Sequence, residues 1–272
     1  MSLVTASRSE LTKQFTTAIW WILGLVLIIY VGLTAAGFGL LLTSLATGAL
    51  GGTETPLVPP ETLPSVIYST ATSFGYVFPL LVGTLMVTTE FRHKTLTPTF
   101  LAVPRRGVAL AAKVVIGVVM GLLFGVLGLV ATVGPGAVIL AASGLETGLA
   151  SSDTWALAGR MLLAFVLWTL IGIGVGSVVR NQVVAIVIVL AFTQFIEPLV
   201  RLAGGFIEGL GPVVSVLPGA AGDALVGASA FSLGMPTATE PLAWWGGGLV
   251  LLAYALVFVV VGQFTSWRRD VN

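Results

Sequence analysis

The sequence contains no cysteine. Disulfides, thiol nucleophiles and thiolate metal sites are therefore excluded. A single histidine, His93, rules out a multi-histidine metal centre or a histidine proton relay within one chain. Charge is equally scarce: Asp, Glu, Lys and Arg make up 8% of the 272 residues, against about 25% in a soluble domain. With 57% apolar residues and a mean hydropathy of +1.07, there is too little polar surface to coat a water-soluble globule. The chain reads as an integral membrane protein. The net charge of +1 and the lack of any long Lys/Arg run give no nucleic-acid tract. Neither G-x-x-x-x-G-K-[ST] nor G-x-S-x-G occurs, and no span pairs two carboxylates. The chain is thus not expected to bind ATP through a P-loop or to be an intramembrane hydrolase; it reads as a non-enzyme.

What is present is a succession of apolar runs. Residues 19–42 are long enough to cross about 30 Å of hydrocarbon and exceed the apolar core of a signal peptide. Further spans are predicted at 66–89, 108–142, 155–179, 183–202 and 242–264. The third is too long for one straight span, and Gly134-Pro135-Gly136 is expected to break or kink it. Ahead of the first span, Ser7 and Glu10 have capping-box spacing. Val4, Leu11, Phe15 and Ala18 share a face, with Arg8, Glu10 and Lys13 off it. Residues 1–18 therefore read as an interfacial amphipathic helix, with Trp20 and Trp21 anchoring the turn.

The segment 203–241 is apolar but punctuated by Gly and Pro. Short helices that dip in and return fit it better than an ordinary outer loop, provided that protein covers them. The fold class is therefore an all-α membrane protein in a single domain, residues 1–272. It has six transmembrane helices, an N-terminal interfacial helix and short outer re-entrant helices between spans five and six.

Charge orients this layout. With the N-terminus inside, ten positive residues lie on the cytoplasmic side: Arg8, Lys13, Arg92, Lys94, Arg105, Arg106, Lys113, Arg180, Arg268 and Arg269. Only Arg160 and Arg201 lie outside, which matches the positive-inside tendency and puts both termini in the cytoplasm. Ala-, Gly- and Val-rich composition with Arg favoured over Lys points to a bacterial inner membrane. Lys113 is expected to snorkel to the inner headgroups. Glu197 and Arg201, four residues apart, are expected to form an outer structural ion pair. Gly117, Gly121 and Gly125 suit close helix packing within one subunit, with a dimer seam as the functional alternative. No charged pair is expected near mid-membrane, which argues against ion-coupled transport.

The densest charge lies at 90–107, between spans two and three. It holds Glu90, Arg92, His93, Lys94, Thr95, Leu96 and Thr97, then Pro104, Arg105 and Arg106; Lys113 follows in the next span. This pattern resembles the segment between the second and third spans of type-2 ABC exporter permeases. There a Glu is followed by a Thr, then by Pro with basic residues, then by a Lys opening the next span. The family usually has Gly before the Thr, where this chain has Lys94. Ser9-Glu10-Leu11-Thr12-Lys13 resembles the family's entry helix. Ile196-Glu197-Pro198 and Leu217-Pro218-Gly219 resemble its outer segment.

The resemblance implies a permease subunit that works as a dimer, with itself or a related permease. Two separate ABC ATPase subunits would carry ATP and Mg, so no cofactor belongs to this chain. It also implies that residues 90–107 form a coupling helix docked on the ATPase. Glu90, Arg92, Thr95, Leu96, Thr97, Pro104, Arg105 and Arg106 would be its contact and capping residues, with Glu90 holding the helix start through its dipole or pairing with a nearby base. The residues alone leave a second reading open: a polytopic channel or assembly scaffold, in which this loop only sets topology.

Overall fold

In the computed structural model, the residues described are 2–49, 59–95, 106–207, 209–231 and 242–265. Among them every regular element is helical. Six helical stretches are long and apolar enough to cross a membrane, so the chain is a polytopic membrane protein.

α1 (Leu3–Thr16) is capped by Ser2, whose hydroxyl accepts from the Thr5 backbone N–H at 3.3 Å. Ser7 and Glu10 therefore lie inside the helix rather than forming a box at its start. Glu10 is buried against the bundle, while Leu3, Val4, Leu11 and Phe15 face outward. The helix thus turns Glu10 and Lys13 toward the bundle and its apolar stripe to the surroundings, with Arg8 exposed. α2 (Ile19–Ala46) follows after two residues.

The second span comes in two pieces, α3 (Leu63–Gly75) and α4 (Val77–Arg92), rather than one helix over 66–89. Pro79 has no N–H to give to the Gly75 carbonyl, so the ladder breaks there and restarts one residue on. α5 (Arg106–Ala142), by contrast, runs unbroken through Pro135, against the expected interruption. It packs closely on α3 there: a Cβ at Gly136 would come within 2.8 Å of Ile67 and 3.0 Å of the Tyr68 ring. At 37 residues α5 is about 55 Å long, more than the hydrocarbon thickness.

α6 (Ser152–Val178) starts at an N-cap, Ser151. α7 (Gln182–Ala191) is capped by Asn181, whose carboxamide oxygen accepts from the Val183 and Val184 N–H groups. It continues through a π-helical turn, Phe192–Ile196, into α8 (Glu197–Gly204). Pro198 cannot donate to the Gln194 carbonyl, and the turn widens just before it. Two short helices follow, α9 (Gly211–Ser215) and α10 (Pro218–Val226); α11 (Trp244–Thr265) is the last. Most of α10 is buried.

The centre is the α4–α6 contact. The span containing α3 and α4 is 83% buried and α6 72%, whereas α2, the α7–α8 span and α11 are only 22–28% buried. Glycines set the approach. A Cβ at Gly83 would land on the Thr169 carbonyl, and one at Gly172 on the Leu80 carbonyl. Gly117, Gly121 and Gly125 of α5 also seat against α6, at Ile173, Val166 and Leu162, so this stripe packs within the chain.

Two glycines of α6 separate packing from propensity. Gly159 has nothing within 4 Å of a built Cβ, while Gly172 faces backbone. Each alanine gains about 1 kcal/mol of helix propensity. Gly159→Ala should therefore leave the melting temperature in detergent unchanged or raise it. Gly172→Ala should lower stability by at least about 2 kcal/mol through overpacking. Equal melting temperatures for the two variants would show that α4 and α6 are not in backbone contact.

Candidate functional site

One end of the bundle gathers α1, the end of α4 and the start of α5. Four charged side chains meet there. Lys113 Nζ lies 2.7 Å from Glu10 Oε2 and 3.1 Å from Glu90 Oε1. Lys13 Nζ lies 2.7 Å from Glu10 Oε1 and 2.8 Å from Glu90 Oε1. Among the described residues the four form a neutral ring. Lys113 is fully buried, so it does not snorkel; it also donates to the Met86 carbonyl at 3.3 Å. Its place on the same face as Ala109, Ile116, Gly117 and Met120, all buried, explains why.

Burial pushes the Glu10 carboxyl up, but Lys113 and Lys13 outweigh it and hold the group below its ordinary 4.5. Burial likewise pulls the Lys13 ammonium down, and Glu90 and Glu10 outweigh it, raising the group above its ordinary 10.5. The depressed carboxyl stabilises the fold above about pH 4.5, and that contribution is lost as pH falls through its folded value. The raised ammonium contributes below about pH 10.5, and that is lost as pH rises through its folded value.

Glu90 lies in the last turn of α4 and pairs with two nearby bases, Lys13 and Lys113. Its carboxylate sits at the negative end of the helix dipole, where the two ammonium groups offset the repulsion. Directly after it the chain turns by a left-handed cap. Lys94 has φ +54°; its N–H bonds the Phe91 carbonyl at 3.3 Å, and the Thr95 N–H bonds the Glu90 carbonyl at 3.0 Å. This is a Schellman arrangement with lysine where glycine is favoured. Arg92 is exposed and reaches the Gln182 side chain at 3.4 Å. Arg106 opens α5, half-buried. Leu96, Thr97, Pro104 and Arg105 lie outside the described residues.

Beside the ring a groove of about 270 Å³ runs between the α1–α2 elbow and α4. Lys13, Gln14, Thr17, Ile19 and Trp20 form one wall; Val82, Leu85, Met86, Thr89, Glu90 and His93 form the other. Glu90 Oε2 and Thr89 Oγ1 are buried without a hydrogen-bond partner among the described residues.

The opposite end holds a second charged cluster. Arg201 pairs with Asp223 at 2.6 Å, not with Glu197. Glu197 Oε1 instead accepts from the Gly219 and Ala220 N–H groups at 2.5 and 3.2 Å, at the N-terminus of α10. Helix spacing allowed the Glu197–Arg201 pair, but α10 supplies each residue with a better partner. Ser229 donates to Asp223 at 2.7 Å, and the Arg201 guanidinium lies 5.1 Å from the Phe231 ring centroid. Tyr76, at the α3–α4 break, stacks on Trp168 and donates to the Thr193 carbonyl at 3.0 Å. Phe78 is buried in the bundle, and Met86, also buried, lies at the floor of the groove. The described residues contain no group of three or more His, Asp or Glu placed to hold a metal.

No protein-family model and no curated protein matches this chain.

Two sets of variants test this end of the molecule. Lys113→Met leaves a buried excess of negative charge and should cost about 3–5 kcal/mol. Adding Glu10→Gln restores neutrality and should recover part of that loss. The stability that wild type holds over the Lys113→Met, Glu10→Gln protein should be flat between about pH 5 and 10 and shrink on either side, following the two shifted groups. A Lys113→Met protein as stable as wild type would dissolve the ring. Lys94→Gly should raise stability by about 1 kcal/mol, because glycine takes the left-handed cap without steric cost. A lowered melting temperature in that variant would contradict the cap.

Proposed function

We propose that this chain is the permease subunit of an ATP-driven ABC exporter. Two permease copies, or this chain with a related one, stand in a bacterial inner membrane with both termini cytoplasmic. Two separate ATPase subunits supply ATP and Mg. Substrate passes between the two permeases.

The observation that carries this reading is the ion ring. A coupling element must pass force to the spans without bending at its roots. The segment 96–105 joins α4 to α5 in the chain, with Arg92 and Lys94 before it and Arg105 and Arg106 at its far end, and Lys113, Glu90, Glu10 and Lys13 bind those two helices to α1. A push on the segment would therefore move three elements as one body. The chain's lack of a phosphate-cradling motif fits an ATPase on another subunit. The excess of Lys and Arg on the same side fits a cytoplasmic docking face.

The test is reconstitution of the chain with its copurifying ATPase in vesicles, with efflux and ATP hydrolysis measured together. The chain alone should hydrolyse no ATP. Arg105→Ala with Arg106→Ala should lower efflux and stimulated hydrolysis on the order of tenfold while leaving melting temperature unchanged. Impermeant labelling of single cysteines at Ser9 and Thr147 checks topology: Thr147 should react from outside, Ser9 only after permeabilisation. ATP hydrolysis by the pure chain, or wild-type efflux in the double variant, would refute the proposal.

A further inference from the structure

The groove at the α1–α2 elbow has a polarity gradient. Val82, Leu85, Met86, Thr89, Glu90 and His93 follow one another at helical spacing along a single stripe of α4. The stripe is about 17 Å long, apolar over its first half and polar over its second. Trp20 stands on the opposite wall. That is the profile of one acyl chain leading to a headgroup, on the flank of a membrane protein.

The headgroup end has an unmet need of a particular kind. Both lysines of the ring bond Glu90 through Oε1. Oε2 is buried with no partner, and so is the neighbouring Thr89 hydroxyl. The Glu90 side chain is 93% buried, since its relative exposure is 7%. A buried carboxylate oxygen without a donor is costly. The ring is already neutral, so the site does not call for net charge; it calls for N–H groups. A zwitterionic headgroup with a primary ammonium supplies them and adds no net charge. A quaternary ammonium has no N–H to give.

We propose that this groove binds one phospholipid bearing a primary ammonium, phosphatidylethanolamine. Its ammonium donates to Glu90 Oε2 and Thr89 Oγ1, and its chain lies along Met86, Leu85 and Val82. The occupant stiffens the elbow between α1 and α2 by filling the space beside the ion ring. The inference depends on the membrane-spanning fold and not on ABC transport.

Binding is read by native mass spectrometry of the purified full chain. The probes are phosphatidylethanolamine, its monomethyl and dimethyl derivatives, and phosphatidylcholine, all with identical acyl chains. Retention should fall step by step as N–H groups are removed, with ethanolamine about tenfold ahead of choline. Thr89→Val should narrow that preference, and Leu85→Trp should weaken all four lipids by filling the apolar half. Melting temperature in lipid-free detergent checks that both variants fold; if either does not, the methylation series on the wild-type chain decides alone. Equal retention of ethanolamine and choline lipids, as expected of general surface lipid, would overturn the proposal. So would an unchanged ethanolamine preference in a folded Thr89→Val protein.

Discussion

A lysine ammonium with no exposure to solvent cannot stand alone. Lys113 is such a group, and much of this molecule follows from neutralising it. Its desolvation is tolerable only because two carboxylates approach within about 3 Å and a second ammonium balances the surplus. Glu10 can reach it only if α1 lies against α5 with Glu10 and Lys13 inward. Glu90 can reach it only if α4 stays helical to its last turn. The inward turn of Glu10 and Lys13, odd for a helix at a membrane surface, is thereby explained: the apolar stripe is left for the surroundings.

The opposite end meets a similar demand by other means. One carboxylate oxygen of Glu197 accepts from two backbone N–H groups at a helix start, and Arg201 pairs with Asp223. Both partners belong to the short helix α10 and require that it be packed against the bundle. Between the two charged ends the middle is held without charge. Glycines 83, 172 and 176 bring the α4 and α6 backbones together, and dispersion supplies the attraction. The bundle is therefore tied by electrostatics at its rims and by close packing at its waist.

Much of the architecture was readable from residue order alone. Six apolar runs, the entry helix and the glycine stripe of α5 came from length and periodicity, because lipid leaves the backbone few choices. What was hidden depends on partners distant in the chain. Lys113 looked like a snorkelling residue seven positions into a helix; only its register with Ala109, Ile116 and Met120 marked it as inward-facing. Glu10 fitted a capping box until Ser2 was seen to do that work. Pro79 and Pro135 are both prolines within spans, yet one breaks its helix and the other does not. Arg201's choice of Asp223 over Glu197 likewise needed the position of α10. Leu96, Thr97, Pro104 and Arg105 fall outside the described residues.

The ion ring also imposes an order on biogenesis. Glu10, Lys13 and Glu90 leave the ribosome before Lys113 does, and as a trio they carry a surplus negative charge. Until the third span is threaded, α1 has no neutral seat beside α4 and is better solvated at the surface. A neutral seat for α1 thus exists only once a lysine about a hundred residues downstream has taken its place.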